Sequence, residues 1–222
     1  MAALVGGGAQ PRPGEISLAH HGVLFLDELP EFNRQALEAL REPLETGSVT
    51  VSRAVGSYTF PARFQLIAAM NPCPCGWRGH PHPRRECRCP RDIVERYKAR
   101  VSGPLLDRID LHVSLGVESW WLDAPPGEAS GPVRARVLLA RQRQHARQGC
   151  LNAELSDAAL DQYAGPKPDA RALLLRAATN WGWSARVARR VLRVARTLAD
   201  LQDCTDIGAA HMAQAIQYRP DA

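Results

Sequence analysis

The sequence predicts an α/β unit built on a short parallel sheet, followed by an all-helical unit. Three observations carry this. The apolar run Val23-Leu24-Phe25-Leu26 stops at two adjacent carboxylates, Asp27 and Glu28, and Pro30 prevents its continuation. A second mostly apolar run, Phe64 to Met70, stops at Asn71-Pro72. From residue 133 onward the apolar residues recur at helical spacing. An unbroken apolar run suits a strand buried on both faces, as in a parallel sheet covered by helices. Such sheets bind ligands outside the carboxyl ends of their strands, which is where Asp27, Glu28 and Asn71 fall.

The elements follow in order. Gly6-Gly7-Gly8 and Pro11-Arg12-Pro13-Gly14 describe a loop. No G-x-x-x-x-G-K-[ST] occurs here or elsewhere in the chain, so the loop reads as a flexible insertion rather than a phosphate cradle. Glu15 to His21 is a helical turn leading into the first strand. Asn33 to Leu44 reads as one helix with Leu37, Leu40 and Leu44 on a face, ended by Gly47. Ser48–Arg53 and Ser57–Phe60 flank Ala54-Val55-Gly56 as a hairpin, and Arg53 near its tip faces either a polyanion or water. Asp92 to Val101 is a helix with Ile93, Val94, Tyr97 and Val101 on one side and arginines on the other. Ser102 to Val113 then reads as a short helix passing into a further strand.

The acids carry the chemistry. In phosphate chemistry one carboxylate at a strand end holds the Mg²⁺ that bridges the phosphates, and its neighbour orients the attacking water. The alternative is a core strand followed by a solvated acidic turn. Asn71 suits a hydrogen bond to a γ-phosphate or simply a turn. Arg108 can stabilise phosphate charge at a neighbour's site or pair with Asp107 or Asp110. Directly after Asn71 come Cys73-Pro74-Cys75 and Cys87-Arg88-Cys89, with Gly, Pro and Arg between them. Cys73, Cys75, Cys87 and Cys89 form a set that suits tetrahedral Zn²⁺, the alternative being reduced, unliganded thiols; His80 and His82 are substitute ligands. A loop of this composition cannot order itself by apolar burial, and a metal clip would.

With 222 residues and 45% hydrophobic composition the chain can bury real cores. Its net charge is +5, carried almost wholly by arginine, since Lys98 and Lys167 are the only lysines. That balance is compatible with phosphate-rich partners. The start has no charged region with an apolar stretch behind it, and no segment approaches the ~20 apolar residues that span a bilayer. A cytoplasmic chain without membrane contact is expected. The expected organisation is an α/β core over residues 1–118, a linker over 119–132 rich in Pro and Gly, and a helical unit over 133–222. The helices are Val133–Gln148, Ser156–Tyr163, Asp169–Trp181, 184–201 and Asp206–Tyr218. On the fourth, Val187, Val191, Val194, Leu198 and Leu201 form an apolar stripe opposite arginines that read as a solvated face. Arg186, just past an N-cap Ser184, sits where a helix start favours phosphate.

Four segments together resemble one family. Pro13-Gly14-Glu15-Ile16-Ser17-Leu18-Ala19-His20 with Gly22 to Phe32, then Ala68-Ala69-Met70-Asn71-Pro72-Cys73-Pro74-Cys75-Gly76, then Gly103 to Asp110, stand in the order found in the ComM/YifB family of magnesium-chelatase-like AAA+ proteins. The resemblance covers essentially the whole chain. It implies a partial AAA+ core and an all-α lid, with Asp27 and Glu28 as the Walker B pair, Asn71 as sensor 1, Arg108 as the arginine finger and Arg186 as the sensor 2 nucleotide contact. It makes the hairpin the insert that faces the pore of a homo-hexameric ring, with Arg53 as a DNA contact, and the glycine-rich start the helix 2 insert. ATP and Mg²⁺ are the implied cofactors and DNA the implied partner, through branch migration in transformation and recombination. Family members carry a Lon-like domain and a P-loop ahead of the segment matched here, so little ATPase activity is expected of this chain alone. A metal-insertion chaperone and a zinc-stabilised module without catalysis are the alternatives.

Overall fold

The computed structural model describes residues 2–7, 12–53, 56–79, 85–116 and 126–219. The chain divides into two compact units, Met1–Ile109 and Asp110–Ala222.

In the first unit a short helix α1 (Ala2–Val5) leads to β1 (Gly6–Gly7), which pairs antiparallel with β2 (Arg12–Pro13). Residues 8–11 of the expected insertion lie outside the described residues, and its described ends are packed closely. A Cβ at Gly6 would lie 2.3 Å from the Arg12 carbonyl oxygen, and one at Gly14 would lie 2.3 Å from the Gly6 nitrogen. These glycines let two backbones touch. Helix α2 (Glu15–Leu18) buries Ile16 and hands the chain to β3 (Val23–Leu26).

β3 pairs in parallel with β6 (Gln65–Ala68), Leu24 opposite Leu66 and Phe25 opposite Ile67. Leu24 and Leu26 are buried, but Val23 and Phe25 are 55% and 59% exposed and Ile67 is 44% exposed. The expectation of a strand buried on both faces is therefore corrected: alternate side chains leave a strand on opposite faces, and among the described residues only one face is covered. That covered face packs on Ile16, Leu29, Leu37, Leu40, Val49, Ala62 and Leu105.

After β3 a 3-10 turn over Leu29–Glu31 leads to the expected helix, which is two pieces, α3 (Arg34–Ala39) and α4 (Arg41–Thr46). Pro43 has no N–H to give the Ala39 carbonyl, and the ladder breaks there. Asn33 caps α3 by accepting from the Ala36 N–H at 2.8 Å, and Gly47 closes α4 in the left-handed region at φ 71°. The hairpin is β4 (Ser48–Arg53) with β5 (Gly56–Pro61), Arg53 opposite Gly56. Val49 and Val51 face the core, while Thr50 meets Thr59 and Ser52 meets Ser57 across the exposed face. Residues 54 and 55 of the expected turn lie outside the described residues. α5 (Arg91–Lys98) buries Val94 and Tyr97, and α6 (Gly103–Leu106) starts at Ser102, whose hydroxyl accepts from the Leu105 N–H.

The strand expected to end at Val113 does not form. Residues 109–116 have no strand partner among the described residues, and Leu111, Val113 and Leu115 are exposed. The second unit is helical: α7 (Ser130–Gln148), α8 (Asp157–Tyr163), α9 (Pro168–Asn180), α10 (Ala185–Leu201) and α11 (Ala209–Gln217). Of the expected linker, residues 119–125 lie outside the described residues, and Ser130, Gly131 and Pro132 form the first turn of α7, where proline's missing N–H costs nothing. Leu160, Ala170, Val191, Ala195, Ala199, Ile207 and Met212 make its core.

Beyond Arg186, the arginines of α10 are not a solvated face. Arg189 pairs with Asp161, Arg190 with Asp110 and Arg193 with Asp157. Arg196 is buried against Asp200, one turn on. That carboxylate also takes two bonds from Arg147 of α7 and one from Asn152. Burial opposes ionisation of Asp200, but the bonds from Arg147 and Asn152 and the charge of Arg196 outweigh it and hold its pKa below the usual carboxylate value.

Candidate functional site

Parallel pairing decides the geometry. Leu26 lies opposite Ala68, and the ladder runs on through Ala69 N–H to Leu26 O and Leu29 N–H to Ala69 O, both at 2.9 Å. Both strands therefore end at the same edge, and Asp27, Glu28 and Asn71 emerge there, all exposed. Glu28 adopts φ 50° and ψ 47°, a left-handed conformation that costs a residue with a Cβ about 1–2 kcal/mol. Its N–H donates to Asp27 Oδ1 at 2.8 Å, so the first acid braces the backbone of the second. Strain of this kind at a strand end carries function more often than packing.

Tyr97 of α5 lies behind this edge, and sequence reasoning missed it as a site residue. Its ring is buried, its hydroxyl is bonded by the Asn71 backbone, and burial together with the charges of Glu31 and Glu28 pushes its pKa up. A tyrosine on the apolar stripe of a helix gives no sign of such a contact. Beside it Arg100 bonds Glu31 and the Pro30 carbonyl, fixing the turn that follows the acids.

Arg108 belongs to the same unit but is folded back. Its guanidinium bonds Glu45 of α4 at 2.5 Å and the Pro104 carbonyl at 2.6 Å, and its side chain is 8% exposed. Glu45 was not among the expected partners, because sixty-three residues separate the two in sequence. Arg53 ends β4, the strand of the hairpin opposite Gly56. Arg186 belongs to the second unit, exposed in the first turn of α10, where Ser184 accepts the Val187 N–H.

The four cysteines converge. The sulfurs of Cys73, Cys75, Cys87 and Cys89 all lie within 4.8 Å of one another, with Cys73 to Cys75 at 3.3 Å and Cys73 to Cys87 at 3.7 Å. Ligands of tetrahedral zinc at about 2.3 Å stand about 3.8 Å apart, so the spacing fits that ion. Cys73 is buried, which disfavours its thiolate, yet bonds from the Cys75 thiol and the Arg78 backbone lower its pKa to about 6. The adjoining Cys75 sulfur pushes Cys89 up to about 11. Four sulfurs this close cannot all ionise unaided, and a dication resolves the crowding. His80 and His82 lie outside the described residues. All six cysteines are free thiols.

Comparison with known proteins agrees with this layout. The model of magnesium chelatase subunit ChlI matches residues 1–120, and that of the ChlI C-terminal region matches residues 127–219. YifB of Salmonella typhimurium is 46% identical over 224 residues, and the competence protein ComM of Haemophilus influenzae is 46% identical over 222; each match covers 99% of this chain and 43% of the relative. The chain belongs to the ComM/YifB family of magnesium-chelatase-like proteins. The family extends to Rv2897c of Mycobacterium tuberculosis, 44% identical over 226 residues, with 99% of this chain and 44% of that protein matched. The chain thus spans less than half the length of the curated ComM/YifB relatives it matches. Its mixed α/β and helical units fit the two parts of the chelatase-like fold. No helix among the described residues is long and apolar enough to cross a membrane.

Proposed function

We propose that this chain is the Walker B, sensor and lid portion of an ATP-dependent ring motor that acts on DNA, with zinc held by its four clustered cysteines. The observation that carries the reading is the shared edge of β3 and β6, which presents Asp27 and Glu28 beside Asn71. In this reading Asp27 holds the Mg²⁺ of a bound ATP. Glu28, aimed by its left-handed backbone, orients the attacking water, and Asn71 contacts the water or the γ-phosphate. Arg108 serves the phosphate of a neighbouring subunit in a homo-hexamer once it leaves Glu45. Arg186 contacts nucleotide from the helical unit, and Arg53 at the end of β4 contacts DNA. Membership with the competence protein ComM supports the DNA reading.

No phosphate-loop signature occurs in the 222 residues, so hydrolysis requires a chain that also carries that loop. The test compares ATP turnover by this chain with turnover by the longer polypeptide that includes the segment its relatives have upstream. The longer chain is expected to hydrolyse ATP in a DNA-stimulated manner, and Glu28→Gln to reduce the rate at least about 100-fold. Robust Asp27-dependent hydrolysis by the shorter chain, or activity of the longer chain that survives Glu28→Gln, would overturn the assignment.

A further inference from the structure

The stretch Cys73 to Arg91 contains five arginines, at 78, 84, 85, 88 and 91, against one acid, Glu86. Nothing in the nucleotide chemistry uses them. The convergence of the sulfurs folds the two ends of the stretch together, and the Arg85 guanidinium lies 5.0 Å over the Trp77 ring, a second tie across the loop. Around the clustered sulfurs, Arg78, Arg85, Arg88 and Arg91 are exposed. Arg78 and Arg88 pair with no carboxylate among the described residues. Among the described residues Arg91 pairs only with Glu95, and the side chains of that pair are 87% and 63% exposed, so a phosphate competes for it easily. A zinc ion with four thiolates carries a formal charge of about −2, which the arginine excess outweighs at the rim.

We propose that the metal-clamped stretches 73–79 and 85–91 form a contact surface for the phosphate backbone of a nucleic-acid strand, with Arg78, Arg85, Arg88 and Arg91 as its contacts. Guanidinium groups bind phosphate bidentately. The clamp holds them in place, so less freedom is lost on binding. An acidic protein partner fits less well, because interfaces between proteins are anchored by buried apolar or aromatic groups. Among the described residues of the loop no large apolar side chain is exposed, and Trp77 is half-buried under Arg85. The surface deepens the DNA reading given above and rests on it for the choice of probe.

The test uses the zinc-loaded chain and a fluorescent single-stranded DNA, with anisotropy measured across a salt series. The double variant Arg78→Gln with Arg88→Gln is expected to weaken binding about tenfold and to flatten the salt slope by about 1.4, at ~0.7 per phosphate lost on a single strand. A control pair on α9, Arg171→Gln with Arg176→Gln, removes the same charge from exposed sites elsewhere and is expected to change little. Metal content is measured on every variant and is expected to stay at one zinc per chain. Wild-type affinity and slope in the loop variant, equal loss in the α9 control, or no DNA binding by the parent chain would each overturn the proposal. So would equal binding of a polyglutamate peptide. If the parent holds no zinc but the loop variant still loses affinity, the contact surface stands and the zinc assignment fails. If the motor reading fails in the turnover assay, the salt slope still decides this surface.

Discussion

Asp200→Asn is expected to destabilise the helical unit far more than an exposed substitution on the same helix bundle. Asp200 is 2% exposed and its carboxylate accepts four hydrogen bonds. Oδ1 takes Arg147 Nη1 at 2.6 Å and Arg196 Nη2 at 3.0 Å, while Oδ2 takes Arg147 Nη2 at 2.9 Å and Asn152 Nδ2 at 2.8 Å. Asparagine keeps one acceptor and turns an amide donor toward two existing donors. It also leaves two guanidinium charges without their counter-ion, one of them, Arg196, itself 2% exposed. Breaking a buried ion pair by removing one partner costs about 3–5 kcal/mol. In a unit of about a hundred residues each kcal/mol moves Tm by roughly 4 °C, so a fall of about 12–20 °C is expected. Thermal unfolding followed by far-ultraviolet circular dichroism measures it. Asp203→Asn is the control: Asp203 pairs with Arg143 but its side chain is 76% exposed, and less than about 0.5 kcal/mol is expected. A Tm within about 3 °C of the parent for Asp200→Asn would refute the argument that this carboxylate organises the unit.

Three further outcomes follow from the same geometry. Because the folded pKa of Asp200 lies below its unfolded value, its contribution is full above about pH 5 and disappears as pH falls through the folded value; the stability gap between the parent and Asp200→Asn should therefore narrow progressively as pH falls below about 5, which paired urea titrations would show. Chelation of the metal should open the loop between Cys73 and Cys89, so that trypsin cleaves after the arginines between these cysteines well before any site outside them; a cleavage pattern indifferent to chelator would remove the clamp. Gly47→Ala should cost about 1–2 kcal/mol, since φ is +71° there and the new Cβ would meet Arg63 Cγ at 2.7 Å, and urea unfolding of the first unit reads that loss.

The parts legible in the sequence were those written locally. An apolar run that halts at Asp27 and Glu28, another that halts at Asn71, an N-cap at Ser184 and two C-x-C pairs each announce themselves within a few residues. What stayed hidden depends on distant partners. A four-residue strand reads the same whether one or both of its faces are covered, so the exposure of Val23 and Phe25 was not visible. The contact of Arg108 with Glu45, and the capture of Arg189, Arg190 and Arg193 of α10 by Asp161, Asp110 and Asp157, join residues that no local pattern connects. Pro43 did carry a local signal, and it was the leucine spacing that masked the break between α3 and α4. Tyr97 shows the converse, an apolar-stripe residue whose polar end happens to meet the Asn71 backbone.

The left-handed backbone of Glu28 also has a consequence for how this position can vary. At φ 50° the cheapest occupants are glycine, asparagine and aspartate, whereas the proposed chemistry asks for a long carboxylate. Stability and activity therefore select different residues at one codon. In a library sorted only for folded protein, the Glu28→Gly and Glu28→Asn variants would outcompete the parent, and sorting the same substitutions for ATP turnover in the longer polypeptide would return glutamate. Loss-of-function changes at this site would arrive with a gain in stability, and would persist as folded, inert chains.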